Sequence, residues 1–207
     1  MDYFIIAQDE SADQQFRFAG LKSTNKIIEV TPDQADDIQD ITIVFVEGQA
    51  DSVYPDYIGK PVVLVADEVK KVLELHDPKL VFKCAILSDP KHSMQKVYWL
   101  LLLPRVDCLS ERTEFQKTGA VKRIVIDQAK AAGHAIFRVQ GLLEKHVFIP
   151  LDVAESLLRR ELLGIRLEMV EQERGDSDIS QSDVSQSDVS QSDAFRPGAF
   201  KEGAVRS

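Results

Sequence analysis

Residues 133–170 read GHAIFRVQGLLEKHVFIPLDVAESLLRRELLGIRLEMV and hold the clearest secondary-structure pattern of the chain. Short runs of β-branched and aromatic residues predict three strands here, at 135–139, 146–149 and 165–170. A segment with helical spacing separates the last two. The stretch therefore predicts strand, strand, helix and strand in that order.

The predicted helix of this stretch begins at Pro150, a residue favoured in the first helical turn. Acidic side chains come early in it and Arg159 and Arg160 come late, which suits the helix dipole. Leu163-Gly164 ends it. The apolar face is predicted to include Leu151, Ala154, Leu157 and Leu158.

The rest of the chain adds strands and short helices without strict alternation. Strands are predicted at 3–7, 27–30, 41–46, 80–87, 95–103 and 121–126, a helix at 66–76 and a helical turn at 127–132. The polar linker between 80–87 and 95–103 indicates an antiparallel pair. Together these elements predict an α+β fold with a mixed, mostly antiparallel sheet and a few short helices.

Residues 175–207 differ in composition from the preceding 174 residues. Units of Asp-Val-Ser-Gln-Ser type recur there every five residues, and apolar side chains are few. Such a segment cannot bury enough apolar area to offset the entropy of ordering, so it predicts a disordered, low-complexity acidic tail. We therefore predict a single α+β domain over 1–174, followed by this tail.

The charge of the chain bears on its partners. The chain of 207 residues has a net charge of −9, and the tail holds five Asp and one Glu against one Lys and two Arg, or −3. The remaining −6 belongs to the predicted domain. An acidic surface repels phosphates, which argues against direct binding of nucleic acid or an anionic membrane and favours a basic partner.

The location of the protein follows from three features. The N-terminal segment lacks the pattern of a secretory signal, and the apolar run Val97–Pro104 is far shorter than the roughly 20 residues of a membrane helix. That run predicts a strand buried on both faces. Cys84 and Cys108 are expected to be free thiols in a reducing cytosol, a disulfide being the alternative. We therefore expect a cytoplasmic protein.

An acidic segment at residues 33–40 is the candidate binding site. It reads DQADDIQD and has four carboxylates in eight positions. It lacks the glycine turn and terminal glutamate of an EF-hand loop, so a solvated acidic face is preferred to a calcium site. The candidate partner-binding residues are Asp33, Asp36, Asp37 and Asp40.

The sequence contains no recognisable catalytic, cofactor or metal motif. It has no glycine-rich phosphate loop, no nucleophile elbow and no zinc-ligand spacing. Cys108 beside Asp107 could act as a nucleophile with His134, but its apolar neighbours raise a thiol pKa. Arg138, inside a short apolar strand, is expected to form a structural ion pair. We therefore expect a non-enzymatic protein without a cofactor.

Five segments follow the order and spacing of a known family: Tyr98–Ser110, Val121–Asp127, Gly133–Arg138, Val147–Ile149 and Leu163–Ile165. Over about Val81 to Val170, roughly half of the chain, the sequence resembles the immunity-protein eleven family of bacterial polymorphic toxin systems. The resemblance implies a cytoplasmic protein that binds a cognate toxin and neutralises it by occlusion. Toxins of such systems include nucleases, whose substrate grooves are basic.

Two alternatives remain open at this point. One is a non-enzymatic adaptor, because phosphorylation of the repeated Ser-Gln-Ser-Asp units would add charge to the tail. The other is a small hydrolase or transferase, which requires that two of His92, His134 and Cys108 converge on one pocket.

Overall fold

The described part of the chain, residues 2–9, 16–19 and 30–173 of a computed structural model, contains fifteen strands and three α-helices. The predicted tail at 175–207 and most of the predicted strand at 27–30 lie outside these residues. The strands are β1 Tyr3–Gln8, β2 Phe16–Phe18, β3 Ile41–Gly48, β4 Tyr57–Ile58, β5 Leu64–Val65, β6 Val81–Asp89, β7 Met94–Leu102, β8 Arg105–Val106, β9 Glu114–Phe115, β10 Val121–Arg123, β11 Val125–Asp127, β12 Arg138–Val139, β13 Val147–Pro150, β14 Ile165–Met169 and β15 Glu171–Glu173. The helices are α1 Asp67–His76, α2 Gln128–Ala131 and α3 Leu151–Leu158, and 3-10 helices span Pro32–Asp37 and Pro90–His92.

Two sheets organise these strands. The larger has the order β2-β3-β6-β7-β5-β4, in which β3 and β6 are parallel and every other pair is antiparallel. The smaller has the order β13-β1-β14 and is antiparallel throughout. Three two-stranded ladders add β9–β10, β8–β12 and β11–β15. The fold is therefore α+β with mixed, mostly antiparallel sheets, as the sequence predicts.

The hairpin of β6 and β7 forms the centre of the larger sheet. Its ladder runs from Val81 opposite Leu102 to Asp89 opposite Met94. At the turn, the Asp89 side chain accepts hydrogen bonds from the backbone N–H groups of Lys91 and His92 and thereby caps the 3-10 helix. The predicted antiparallel pair is confirmed, with strand ends that differ by one or two residues.

Towards the end of β7, alternating leucines are buried on both faces of the larger sheet. Leu100 and Leu102 pack on one face in an apolar cluster with residues of β3. Leu101 and the following Leu103 pack on the other face, in a cluster that contains the apolar sides of α1 and α3. Each such buried leucine stabilises the fold by roughly 1.5–3 kcal/mol. The predicted burial of this run on both faces is confirmed for Tyr98 and for Leu100 to Leu103, but it is wrong at Val97, which is 57% exposed.

Helix α3 packs beside α1 but buries a different set of side chains from the predicted one. Val153, Ala154 and Leu157 are buried, whereas Leu151 and Leu158 are 42% and 72% exposed. The predicted apolar face was wrong at these two leucines. They stand seven residues apart, which places them on a common stripe at the margin of the face that α3 presents to its neighbours.

Two further predictions require correction. The single strand predicted at 121–126 is two strands, because β10 pairs with β9 while β11 turns to pair in parallel with β15. The strand predicted at 135–139 is reduced to β12, which pairs with β8. Alternation nevertheless holds there, since Ile136 and Phe137 enter different apolar clusters.

The capped turn between β6 and β7 makes stability depend on acid pH. Asp89 is buried, and its Oδ2 accepts from Gly48 N at 3.0 Å and lies 2.9 Å from His92 Nδ1. These contacts, first of all the one with His92, lower the pKa of Asp89 from 3.8 to about 2. Because the folded-state pKa is lowered, the ionised form stabilises the fold above pH 3.8 and this stabilisation is lost as the pH falls towards 2.

We expect Asp89→Asn to lower the melting temperature by several degrees at pH 7, because an amide nitrogen cannot accept the hydrogen bond from Gly48 N–H. The difference from the unsubstituted chain should shrink between pH 4 and pH 2. Thermal unfolding followed by circular dichroism across this range measures both effects. Asp51→Asn, at an exposed position, is the control, and an equal loss in both variants would contradict the assignment.

Candidate partner-binding surface

The first five residues of the acidic segment lie in a short 3-10 helix, Pro32–Asp37, that precedes β3. Thr31 begins this helix, and its backbone N–H donates to Gln34 Oε1 at 3.3 Å. Pro32 follows in the first turn, where its fixed φ suits the helix. Ile38 then ends the helix and is buried in the apolar cluster beneath β3. The segment is thus anchored by apolar packing at its end, next to the start of β3.

All four predicted side chains of the segment are exposed. Among the described residues, Asp33, Asp36 and Asp37 have no ion-pair partner. Such a solvated acidic face is what the sequence predicts, and its role in binding stays a prediction. Three uncompensated carboxylates on one short helix give this part of the surface a negative potential that acts on approaching molecules.

Asp40 differs from the other three carboxylates because it has a cationic neighbour. Its Oδ1 lies 2.9 Å from Lys83 Nζ on β6. The hydrogen bond with Lys83, and then the charge of that ammonium, hold the pKa of Asp40 below its usual value. All four aspartates therefore lie just before β3, and among the residues that the structure describes an ion pair compensates the charge of Asp40 alone.

A row of exposed apolar side chains follows the acidic segment directly, and the sequence analysis missed it. Ile41, Ile43 and Phe45 point to one face of β3 and are more than half exposed. Val44 and Val46 point to the other face and are buried. The run ITIVFV has apolar residues on both faces, which is the pattern of a fully buried strand. Sequence alone could not show that Ile41, Ile43 and Phe45 are exposed on one of these faces.

The residues considered for catalysis have structural partners. His92 Nδ1 contacts the Asp89 carboxylate in the β6–β7 turn. Cys108 is fully buried in an apolar cluster between β1 and α2, separate from the two clusters that pack on the larger sheet. His134 packs edge-on against the ring of Phe137, with centroids 6.1 Å apart. The turn histidine thus belongs to the larger sheet and the thiol to the packing of the smaller one.

The thiol of Cys108 is unsuited to act as a nucleophile. Burial, and then the negative charges of Asp107 and Asp127, raise its pKa to about 11. The sequence predicts this direction from the apolar neighbours of Cys108. Since the thiolate is the nucleophilic form, the side chain is protonated and unreactive at neutral pH.

We expect the two free thiols to differ sharply in reactivity. In a Cys84→Ser chain, Cys108 should react with a disulfide reagent at pH 8 about 100-fold more slowly than a free thiol, because so little thiolate is present. In a Cys108→Ser chain, the half-buried Cys84 should react faster. Stopped-flow absorbance with and without denaturant measures both rates. Equal rates in the two folded variants would contradict the burial of Cys108.

Arg138 lies half-buried on β12, where its backbone N–H donates to Pro104 O at 2.9 Å. The positive charge of its guanidinium interacts electrostatically with the buried phenol of Tyr57. Burial raises the pKa of Tyr57, and the positive charge of Arg138 opposes that rise. The structure thus places Arg138 at the junction between β4 and the smaller sheet, and its predicted structural ion pair stays a prediction.

The described residues were compared with the requirements of a metal site and of a membrane-spanning helix. Within residues 2–9, 16–19 and 30–173, no group of three or more His, Cys, Asp or Glu side chains could hold a metal ion. Over the same residues, no helix is long and apolar enough to cross a membrane.

No protein-family model matches the chain, and no curated protein matches its sequence. The resemblance to the immunity family therefore stays a prediction.

Proposed function

We propose that this chain is a cytoplasmic immunity protein that binds and neutralises a cognate toxin. The observation that carries the proposal is the exposed acidic segment, in which Asp33, Asp36 and Asp37 have no cationic partner within the described part of the chain. The resemblance of about half of the chain, residues 81–170, to an immunity family supports the same function. A basic toxin, such as a nuclease, is the partner class that this charge favours.

The proposed mechanism is occlusion. A nuclease groove binds the phosphates of its substrate with lysine and arginine side chains. A protein that presents carboxylates at comparable spacing can occupy the groove and exclude the substrate. The same charges speed the encounter of the two proteins at low ionic strength. Inhibition of this kind requires a stable surface and no catalytic residue or cofactor in the inhibitor.

Co-expression tests the proposal. The chain would be produced together with the product of the adjacent gene, with an affinity tag on the neighbour only. We expect the two proteins to co-purify as a stable complex that persists in gel filtration at low salt. Because surface charge contributes to the encounter, the complex should form more slowly as the salt concentration rises. A neighbour that elutes alone would argue against the proposal.

A second candidate function is favoured by the Ser-Gln-Ser-Asp repeats. A non-enzymatic adaptor would use this tail as a regulated binding element, since each phosphorylated serine adds about −1.5 to −2 charges. A chain ending at residue 174 separates the two candidates. The immunity function predicts that the shortened chain retains its partner, whereas the adaptor function predicts that binding is lost.

A further inference from the structure

The outer face of the larger sheet is only partly covered by the described elements. Helix α1 lies over one end of this face, where Lys70 Nζ is 4.6 Å from the ring centroid of Trp99 and 5.2 Å from that of Phe82. Trp99 Nε1 also donates to Asp67 Oδ1 at 3.3 Å. Beyond Trp99 and its neighbour on β6, the face continues without a described element above it.

The uncovered part of the face is apolar across three strands. Directly opposite residues of a sheet project from the same face. Ile43 on β3 lies opposite Ile86 on β6, which lies opposite Val97 on β7. Ile41 and Phe45 extend this row along β3. The exposed fractions are 57% for Ile41, 59% for Ile43, 51% for Phe45 and 57% for Val97. We call Ile41, Ile43, Phe45, Ile86 and Val97 the apolar face.

Charged residues border the apolar face at both ends of β3. Asp40 and the acidic segment precede Ile41, and the exposed Glu47 follows Phe45 on the same side of the strand. Two cations accompany them: Arg17 lies opposite Glu47, and Lys83 contacts Asp40. Among residues 2–9, 16–19 and 30–173, the carboxylates of this border outnumber these cations, so the described part of the border is acidic.

The apolar face is too small to form a whole interface and has the size of an interface centre. It extends about 13 Å along β3 and about 10 Å across the strands, from the ordinary spacings of a sheet. That area is well below the roughly 800 Å² that each partner buries in a stable complex. A stable complex would therefore need the charged border as well, which is the usual arrangement of an apolar centre and a polar rim.

The charge of the border indicates that the partner at the apolar face is a different protein and not a second copy of this chain. Two copies that joined their apolar faces would bring two acidic borders together, in chains that each carry −9. A partner with an apolar patch flanked by lysine or arginine would satisfy both the centre and the border. Such a partner has the charge expected of the toxin proposed above.

We propose that the apolar face is the centre of the interface with that toxin, an inference that rests on the proposed function. The toxin presents an apolar patch bordered by basic side chains. The apolar contacts hold the complex together, and the acidic segment governs how fast it forms. Substitutions in the two regions should then change different rate constants.

The test compares two double variants with matched chemistry. Ile43→Thr with Phe45→Thr alters the apolar face and keeps residues that suit a strand. Phe115→Thr with Met169→Thr alters exposed apolar residues of β9 and β14 as the control. Binding to the purified product of the adjacent gene is measured by surface plasmon resonance. We expect Kd to rise about 100-fold or more for the face variant, mainly through faster dissociation, and to change less than about twofold for the control.

The outcomes that overturn the inference are distinct. A wild-type chain that does not bind the neighbour overturns the proposed function and this inference with it. Wild-type binding that the face variant retains unchanged overturns the inference alone. A wild-type homodimer that the face variant converts to a monomer in sedimentation would assign the face to a second copy instead. If the double variant fails to fold, Val97→Thr on β7 provides the same comparison.

Discussion

Phe148→Ala is expected to lower the free energy of unfolding by about 3–5 kcal/mol, the usual cost of truncating a fully buried phenylalanine. Phe148 on β13 is inaccessible to solvent and stacks on Phe137, with ring centroids 5.6 Å apart and an interplanar angle of 11°. It also lies opposite Ile5 on β1. The substitution therefore leaves a cavity where β1, β13 and the segment before β12 meet.

Urea unfolding followed by circular dichroism measures this loss as a shift of the midpoint at constant slope. Phe115→Ala, at an exposed position on β9, is the control and should cost less than about 1 kcal/mol. A Phe148→Ala chain within about 1 kcal/mol of the unsubstituted protein would contradict the packing described for the smaller sheet.

Replacing Asp33, Asp36 and Asp37 together by asparagine is expected to slow association with the toxin by about 10-fold to 100-fold at low salt. These three carboxylates have no ion-pair partner among the described residues, so their field is not compensated locally. Asp40→Asn alone should have a smaller effect, because Lys83 already offsets its charge. Stopped-flow fluorescence at several ionic strengths gives the rate constants.

The matched control for this variant removes the same number of charges elsewhere. Asp107→Asn, Glu111→Gln and Glu161→Gln neutralise three exposed acids outside the acidic segment. The control should slow association by less than about threefold, since only the overall charge changes. If both triple variants slow association equally, steering depends on net charge and the acidic segment has no special part in it.

The sequence predicts the parts of the fold that depend on local pattern. The β6–β7 hairpin follows from two long apolar runs and a polar linker. The helical turn α2 follows from Asp127, whose side chain accepts from the N–H groups of Ala129 and Lys130, and from Gly133, which has a φ of 87°. In each case the signal lies within a few neighbouring residues, so no tertiary information is needed.

The elements that were predicted wrongly depend on distant partners. The break between β10 and β11 exists because each strand finds a different partner, β9 in one case and β15 in the other. Residues 121–126 alone carry no sign of that division. The exposure of Leu158 likewise depends on how α3 is oriented against α1, which the periodicity of one helix does not specify.

The two parts of the candidate site differ in the same way: the acidic segment can be predicted from the sequence, and the apolar face cannot. A cluster of four aspartates is visible in the sequence, and its exposure follows from the cost of burying charge. The apolar face is not visible there, because Ile41, Ile43 and Phe45 resemble the buried side of a strand. In the structure, α1 lies over this face near Trp99 and does not reach these three side chains, which are exposed to solvent.

Growth rescue is the decisive measurement for an immunity function. The product of the adjacent gene would be expressed from an inducible promoter in cells that contain this chain, the Ile43→Thr and Phe45→Thr variant, or neither. We expect growth arrest without the chain, full growth with it, and arrest again with the face variant at equal expression. Arrest in cells that contain the unsubstituted chain would contradict an immunity function.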